Sequence, residues 1–373
     1  MMHCHTTPGK RVAETDGRNM ILEGKRILVT GGTGSMGKVL VRRILSGELG
    51  HPGKVIVFSR DEAKQHDMRL SYLHLKASTD EVIYHNFEQT LEFRIGDVTR
   101  YEDVCSVVRD ADIVINAAAM KQVPTCEYFP LHAVNTNCQG PANIVRAIRE
   151  NDCPVEAVVG ISTDKACKPV NVMGMTKAVQ ERIFISGNIS TPKTRFIIVR
   201  YGNVLASRGS VIPMFHEQIR DGGPVSITAP DMTRFLLSIN EAVDIVFAAL
   251  HHAKAGEIFI PMIPSATVIN VAKALIGRRD VEIKTIGIRP GEKMHEILVS
   301  EEECHHTVRR ENYYVILPML PELRNRDADA PLALSGEYSS ADCAIGLQET
   351  GALLKKHKLM VEDVAGETNE LLR

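Results

Sequence analysis

Short apolar runs alternate with longer amphipathic stretches from Lys25 to Val204. The runs are "KRILVT" (25–30), "KVIVFSR" (54–60), "EFRIGDV" (92–98), "ADIVINAAA" (111–119), "VEAVVGIST" (155–163) and "RFIIVRYGNV" (195–204). They are rich in Val and Ile and show no polar alternation, which predicts strands buried on both faces. Between them, "KVLVRRIL" after the first run and "HAVNTNCQGPANIVRAIRE" (132–150) carry the helical repeat. Strand alternating with helix predicts an α/β fold with a doubly wound parallel sheet.

The texture changes after residue 205. Residues 209–228 read as loop, helix and strand, and "INEAVDIVFAALHHA" (239–253) as a helix that returns to the first domain. The organisation expected is a mobile tail at 1–20, a nucleotide-binding domain at 21–205 with 236–262 returning to it, and a substrate-binding domain at 206–235 and 263–320. Residues 321–373 form a C-terminal extension. Its stretch 321–340 has little periodicity, and a last helix at 349–359 closes the fold or packs on a neighbouring subunit.

Composition narrows the class. The 373 residues are 44% hydrophobic and 24% charged with a net charge of -2, ordinary for a soluble globular protein and without the basic footprint of a nucleic-acid binder. No apolar run approaches the roughly 20 residues that span a bilayer, and the polar N-terminus has no apolar signal core. The eight cysteines stand singly, with no C-x-x-C pair, which fits reduced thiols in the cytoplasm. "HCH" (3–5) and "CHH" (304–306) place adjacent side chains apart, so no metal is expected.

The first strand runs into Gly31-x-x-Gly34-x-x-Gly37 and a helix, as the phosphate-binding turn of a Rossmann domain does. A glycine-rich turn without a ligand is the plain alternative. Thr33, Ser35 and Met36 fill the positions between. Ser59-Arg60 closes the second strand and Lys64 follows one helical turn on. Basic residues there favour the 2'-phosphate of NADP over NAD, where an acid would hold the ribose. Asp97 and Val98, after the third strand, suit the adenine, and Ala117 to Ala119, after the fourth, leave room for the cofactor. Asp164 and Lys165 stand just past the fifth strand, where ligands bind in such sheets. Met173 and Lys177 are i and i+4 on the next helix and share a face, so Lys177 reaches the nicotinamide ribose.

These motifs resemble the extended short-chain dehydrogenases that act on nucleotide sugars. More closely they resemble the UDP-N-acetylglucosamine 4,6-dehydratases that invert C5, including the capsular-polysaccharide enzymes. The matching segments are "TGGTGSMG", "FSRDEAKQ", "GDV", "AAAMKQVP", "STDKA-KPVNVMG-TK", "RYGNVLASRGSVIP", "MTRF" and "RPGEKMHE", over roughly residues 24–300, with "GEYSS" extending the likeness to 340. The resemblance implies Asp164 and Lys165 as the acid/base pair for C6 and C5, and Lys121 touching cofactor and sugar. It implies Asn203 on the substrate, Val204 beside the nicotinamide, Arg234 and Arg289 on the diphosphate, and Glu292 near the uridine ribose. One branch of the family has tyrosine at position 173; the capsule-type branch has methionine, as here.

The implied cycle is redox-neutral. The sugar is oxidised at C4, loses the C5 proton to Lys165 and its C6 hydroxyl with a proton from Asp164, and is reduced again at C6. With C5 reprotonated from the opposite face, the product is UDP-2-acetamido-2,6-dideoxy-β-L-arabino-hex-4-ulose. Lys177 through a water, or Thr163, are the candidates for the C4 hydroxyl proton, with Met173 as an apolar spacer. A UDP-sugar 4-epimerase, a dehydratase that releases the exocyclic 5,6-alkene, and a non-catalytic NADP-binding protein are the alternatives. A homo-oligomer, dimer to hexamer, is expected from the resemblance.

Overall fold

The computed structural model describes residues 20–73, 90–205, 210–324 and 331–364. Almost all of the expected tail, and the parts of the expected domains at 74–89, 206–209, 325–330 and 365–373, lie outside the described residues.

Strands form where the apolar runs stand: β1 (Arg26–Thr30), β2 (Lys54–Ser59), β3 (Leu91–Ile95), β4 (Ile113–Asn116), β5 (Ala157–Thr163) and β6 (Arg195–Tyr201). Their order is β3-β2-β1-β4-β5-β6, all parallel, so the expected doubly wound sheet is present. In β1, Ile27 and Val29 enter one core and Leu28 the other, which is why the run lacks polar alternation. The helices that cover the sheet and frame the site are α1 (Ser35–Leu45), α2 (Tyr101–Val108), α3 (Gly140–Glu150), α4 (Val172–Ser190), α5 (Val211–Arg220), α6 (Ile239–His252), α7 (Val268–Ile276) and α8 (Leu347–Lys356). Leu40 of α1 and Val243 of α6 lie in the first core; Val104 of α2, Ile144 of α3 and Phe184 of α4 lie in the second.

Downstream come β7 (Val225–Ile227), β8 (Thr233–Phe235), β9 (Ile258–Pro261), β10 (Ser265–Thr267), β11 (Ile283–Thr285), β12 (Ile297–Val299), β13 (Thr307–Arg310), β14 (Tyr313–Ile316) and β15 (Tyr338–Ser339). β9 joins β6 in parallel, and the hairpin β13–β14 completes a nine-stranded sheet in antiparallel. That hairpin falls within 263–320, the stretch expected in the substrate domain. Val315 buries in one core and Ile316 in the other, so the strand is apolar on both faces and belongs in the sheet.

A third, smaller core holds Phe215 and Ile219 of α5, Val225 and Ile227 of β7, Leu275 of α7 and Leu354 of α8. The segment after residue 320 does find partners in its own chain. The Tyr338 hydroxyl donates to the Ile263 carbonyl at 2.9 Å and accepts from its amide at 2.9 Å, and Leu354 is fully buried. No helix among the described residues is long and apolar enough to cross a membrane.

Candidate active site

At the carboxyl ends of the parallel strands lies a cleft of about 1040 Å³ between the sheet and the smaller region. Its first wall is the turn after β1. Gly31 has φ +68°, and a Cβ there would stand 2.7 Å from the Ala118 amide nitrogen, so only glycine lets this turn lie on the loop after β4. Helix α1 has Gly34 as its N-cap, with no side-chain cap and no acidic residue in its first turn. Its first amides are left for an anion, and the helix dipole favours one. Thr33, Ser35, Met36, Gly37, Val98 and Ala117 line the same wall. These residues fit a dinucleotide pyrophosphate.

At the tip of β2, Ser59, Arg60 and Lys64 line the cleft. Arg60 is mostly exposed and pairs with Asp97 at 3.3 Å; Lys64 pairs with Asp61. Burial pushes the Asp97 carboxyl up, but hydrogen bonds from Thr99 and the charge of Arg60 hold it below the usual range. Gly96 and Val98 line the cleft, whereas Asp97, expected at the adenine, does not. The loop after β4 is held by Asn137, whose side chain accepts from the Met120 amide at 2.8 Å and donates to the Met120 carbonyl at 2.9 Å. Asn137 lies in a π-helical turn, Asn135–Gln139, inside the stretch expected to be one continuous helix. Lys121, just beyond, lines the cleft.

At the tip of β5 the site becomes ionic. Asp164 is fully buried. Its Oδ1 accepts from the Thr163 hydroxyl at 2.8 Å and from Lys165 Nζ at 3.0 Å, and its Oδ2 has no hydrogen-bond partner. Lys165 Nζ also lies 3.0 Å from Glu296 Oε1, and Arg234 Nε approaches the same oxygen at 3.9 Å. Burial, reinforced by the Glu296 charge, pushes the Asp164 carboxyl up against the pull of Lys165. Burial pushes Lys165 down, but Asp164 and Glu296 outweigh it and raise the amine. Burial pushes Glu296 up, yet Lys165 and Arg234 win and lower it. The cluster thus raises the proton affinity of Asp164 and Lys165 and lowers that of Glu296. Glu296 had no assigned role in the sequence reading, although it is the last letter of "RPGEKMHE".

Helix α4 brings the remaining groups. Its N-cap Asn171 accepts from the Gly174 amide at 2.8 Å and donates to the Gly291 carbonyl at 2.8 Å, tying the helix to the 289–292 loop. A Cβ at Gly174 would overlap the Lys165 carbonyl oxygen, so the helix start rests directly on the Asp164–Lys165 loop. Met173 packs with Cys126 and Ala133 and also lines the cleft. One turn on, Lys177 Nζ donates to the Ile161 carbonyl at 2.6 Å and to Gln180 Oε1 at 2.8 Å. Burial lowers Lys177 to about 8, against the opposing charge of Glu181.

The structure brings Thr163, Lys165, Met173, Lys177, Asn203, Val204, Arg234, Arg289 and Glu292 to one cleft. Asp164 touches it only through Thr163 and Lys165. Asn203 Oδ1 is buried without a partner. The Arg289 amide donates to Glu292 Oε2 at 3.2 Å, which shapes the loop that carries both.

This arrangement has relatives. The profile of a polysaccharide biosynthesis protein family matches residues 27–318. The chain belongs to that family. A UDP-N-acetylglucosamine 4,6-dehydratase (inverting) from Campylobacter jejuni is 41% identical over 320 residues, 85% of this chain and 90% of the relative. A UDP-glucose 4-epimerase from Rickettsia bellii is 41% identical over 342 residues, 88% of this chain and 95% of the relative. Among solved structures, Pen from Bacillus thuringiensis matches with a TM-score of 0.81 at 32% identity, covering 91% of this chain and all of that one. The family resemblance read from the motifs is thus borne out; the two relatives' names divide between dehydratase and epimerase.

Proposed function

We propose that the protein is a cytoplasmic UDP-N-acetylglucosamine 4,6-dehydratase that inverts C5, with NADP as its cofactor. The observation that carries this reading is the buried Asp164–Lys165 pair at the tip of β5. Dehydration needs an acid for the C6 hydroxyl and a base for C5–H; epimerisation at C4 needs neither.

The cofactor, when bound, supplies the hydride acceptor for C4 and the donor that returns hydride to C6. The chain's own residues do the rest. The amides of α1 and the turn at Gly31 hold the pyrophosphate, and Arg60 and Lys64 hold the 2'-phosphate. Lys121 and Val204 flank the nicotinamide end. Asn203 binds the sugar, Arg234 and Arg289 the diphosphate, and Glu292 the uridine ribose. Asp164, whose hold on a proton is strengthened by burial, gives that proton to the departing C6 hydroxyl, and Lys165 takes the C5 proton. For the C4 hydroxyl, Lys177 is favoured over Thr163. Burial brings Lys177 to about 8, near the working pH of a general base, whereas the Thr163 hydroxyl is committed to Asp164.

The relatives named as epimerases favour a second reading, a UDP-sugar 4-epimerase on the same scaffold. Proton NMR of UDP-N-acetylglucosamine incubated with the protein separates the two. A methyl doublet of a 6-deoxy-4-keto sugar supports the dehydratase; a galacto-configured product supports the epimerase; a vinylic product marks release of the 5,6-alkene. A homo-oligomer is part of the proposal. Tyr128, Leu131 and Val179 expose apolar side chains on helices that pack together, a face suited to a second copy.

A further inference from the structure

We propose that Glu296 is the third member of the proton-transfer cluster, a positioning residue that holds Lys165 in place and keeps its ammonium form favoured once the C5 proton has been taken. The inference rests on the dehydratase reading for its chemistry, but its charge coupling is testable without it.

Lys165 Nζ stands 3.0 Å from Asp164 Oδ1 and 3.0 Å from Glu296 Oε1, between two buried carboxyl groups. The two differ in what holds them. Asp164 has a hydroxyl and the lysine; Glu296 has the lysine and, farther off, Arg234. Their second oxygens are both buried without a hydrogen bond. An ionised carboxylate with a bare buried oxygen persists only beside a cation; for Glu296 the nearer is Lys165 and the farther Arg234.

The proton ledger shows why a second carboxylate is needed. The raised Lys165 must first give its proton to solvent, so the reactive form before elimination has Asp164 protonated, Lys165 as the free amine and Glu296 ionised beside Arg234. The C5–H bond breaks, its proton goes to Lys165, and the electron pair becomes the C5–C6 double bond. The C6–O bond breaks, and the hydroxyl leaves as water with the Asp164 proton. Afterwards Lys165 is cationic between two carboxylates, the geometry described above. Without Glu296 the new ammonium would have Asp164 alone.

Glu296 is held by main-chain anchors on the C-terminal segment. Its amide donates to Ser340 Oγ at 2.9 Å, and its carbonyl accepts from the Ser340 amide at 2.8 Å. Ser340 Oγ is 2.7 Å from Thr233 Oγ1, which is 2.8 Å from His295 Nδ1. The charged groups around the pair come from each packed element: Asp164 after β5, Arg234 on β8, and Lys293 on the loop before β12, whose ammonium is held on the Cys167 carbonyl at 2.6 Å.

The test compares the full-length wild type with E296Q and E296D. The Lys165 ammonium is followed by NMR in protein labelled with nitrogen-15 at lysine Nζ, and assigned by its loss in Lys165→Met. Losing an opposite charge in contact should lower its titration by about one unit or more in E296Q, with E296D intermediate. The pH limb for solvent deuterium incorporation at C5 should move down with it. The turnover kcat should fall about tenfold or more while KM stays nearly constant, the pattern of an interaction made mainly beyond the ground state. Should E296Q fail to fold, the intermediate shift in E296D carries the same decision. Unchanged Lys165 titration overturns the proposal. So does a rate loss equal at every pH, which marks a structural role. A wild type that makes a 4-epimer and no 6-deoxy sugar overturns the dehydratase reading, while the titration still decides the role of Glu296.

Discussion

Lys177 Nζ donates to the main-chain oxygen of Ile161, at 2.6 Å, and lies one helical turn beyond Met173, where many dehydrogenases carry a tyrosine. The amine is thus docked on the sheet by its own helix, and the methionine beside it packs with Cys126 and Ala133, as the proposed apolar spacer would. Met173→Leu keeps that volume, and such swaps usually cost under about 1.5 kcal/mol. It should retain turnover within about tenfold, since tenfold is about 1.4 kcal/mol of barrier. Lys177→Met should be far worse at saturating cofactor. Equal inactivity of the two variants would assign Met173 a direct part in the chemistry.

Lys177 also sets a pH dependence. The ordinary lysine value is 10.5, and the folded chain lowers it to about 8. Between these values the unfolded state binds more protons, so this residue's contribution to stability rises with pH across that window and is smaller below it. The rate of hydride transfer from C4, followed at 340 nm in single turnovers, should rise through pH 8 as Lys177 becomes neutral. A flat profile between pH 7 and 9 would exclude Lys177 as the acceptor of the C4 proton.

Arg60 is exposed at the cofactor end and held by one ion pair, with Asp97 at 3.3 Å. Arg60→Ala should weaken NADP binding far more than NAD binding in calorimetric titrations. Equal losses would remove Arg60 from the 2'-phosphate.

Behind the site, Arg200 is fully buried and makes paired hydrogen bonds to Glu181 and Glu303, with both contacts as short as 2.7 Å. The Ser162 hydroxyl donates to Glu181 at 2.6 Å, so the cluster ties β5, β6 and α4 together. Removing one partner of a buried ion pair costs about 3–5 kcal/mol, because charge is left uncompensated. Arg200→Ala should lower stability to urea by that order. A loss below about 1 kcal/mol, the scale of a surface pair, would show that water reaches the site.

In the C-terminal segment, Leu354 is fully buried in the smaller core with Leu275. Leu354→Ala should cost about 2–5 kcal/mol, the usual range for a buried leucine. Dimer dissociation without loss of protomer stability would instead place this segment at a subunit interface.

The sheet was legible because its inner parallel strands are buried on both faces and their apolar runs are continuous, as Ile27, Leu28 and Val29 show. The ends of those runs located the cleft, since such sheets bind ligands at their carboxyl edge. Glu296 was not legible. It sits far along the chain from Asp164 and Lys165, and nothing in its neighbours' pattern distinguishes a buried glutamate from a solvated one. The same holds for Arg200, whose strand reads as apolar and whose two glutamates arrive from α4 and from the turn near Cys304. The hairpin β13–β14 was misplaced because two short strands with a tight turn, Glu311 at its tip, look alike in a main sheet and in an appended one. Segment 321–340 appeared unpartnered because Tyr338 and Ser340 anchor it as individual residues through hydrogen bonds, and individual residues leave no period.

Gly174 ties the halves of the chemistry together. The loop proposed to handle protons at C5 and C6 and the helix proposed to handle the C4 hydroxyl meet there with no side chain between them. A methyl group at 174 would act as a wedge, pushing Lys165 and Lys177 apart and spoiling registration between oxidation and elimination on a single bound sugar. Such a variant would uncouple the cycle: it could draw hydride from C4 and then stall, and the reduced cofactor would accumulate with the sugar still carrying its C6 oxygen.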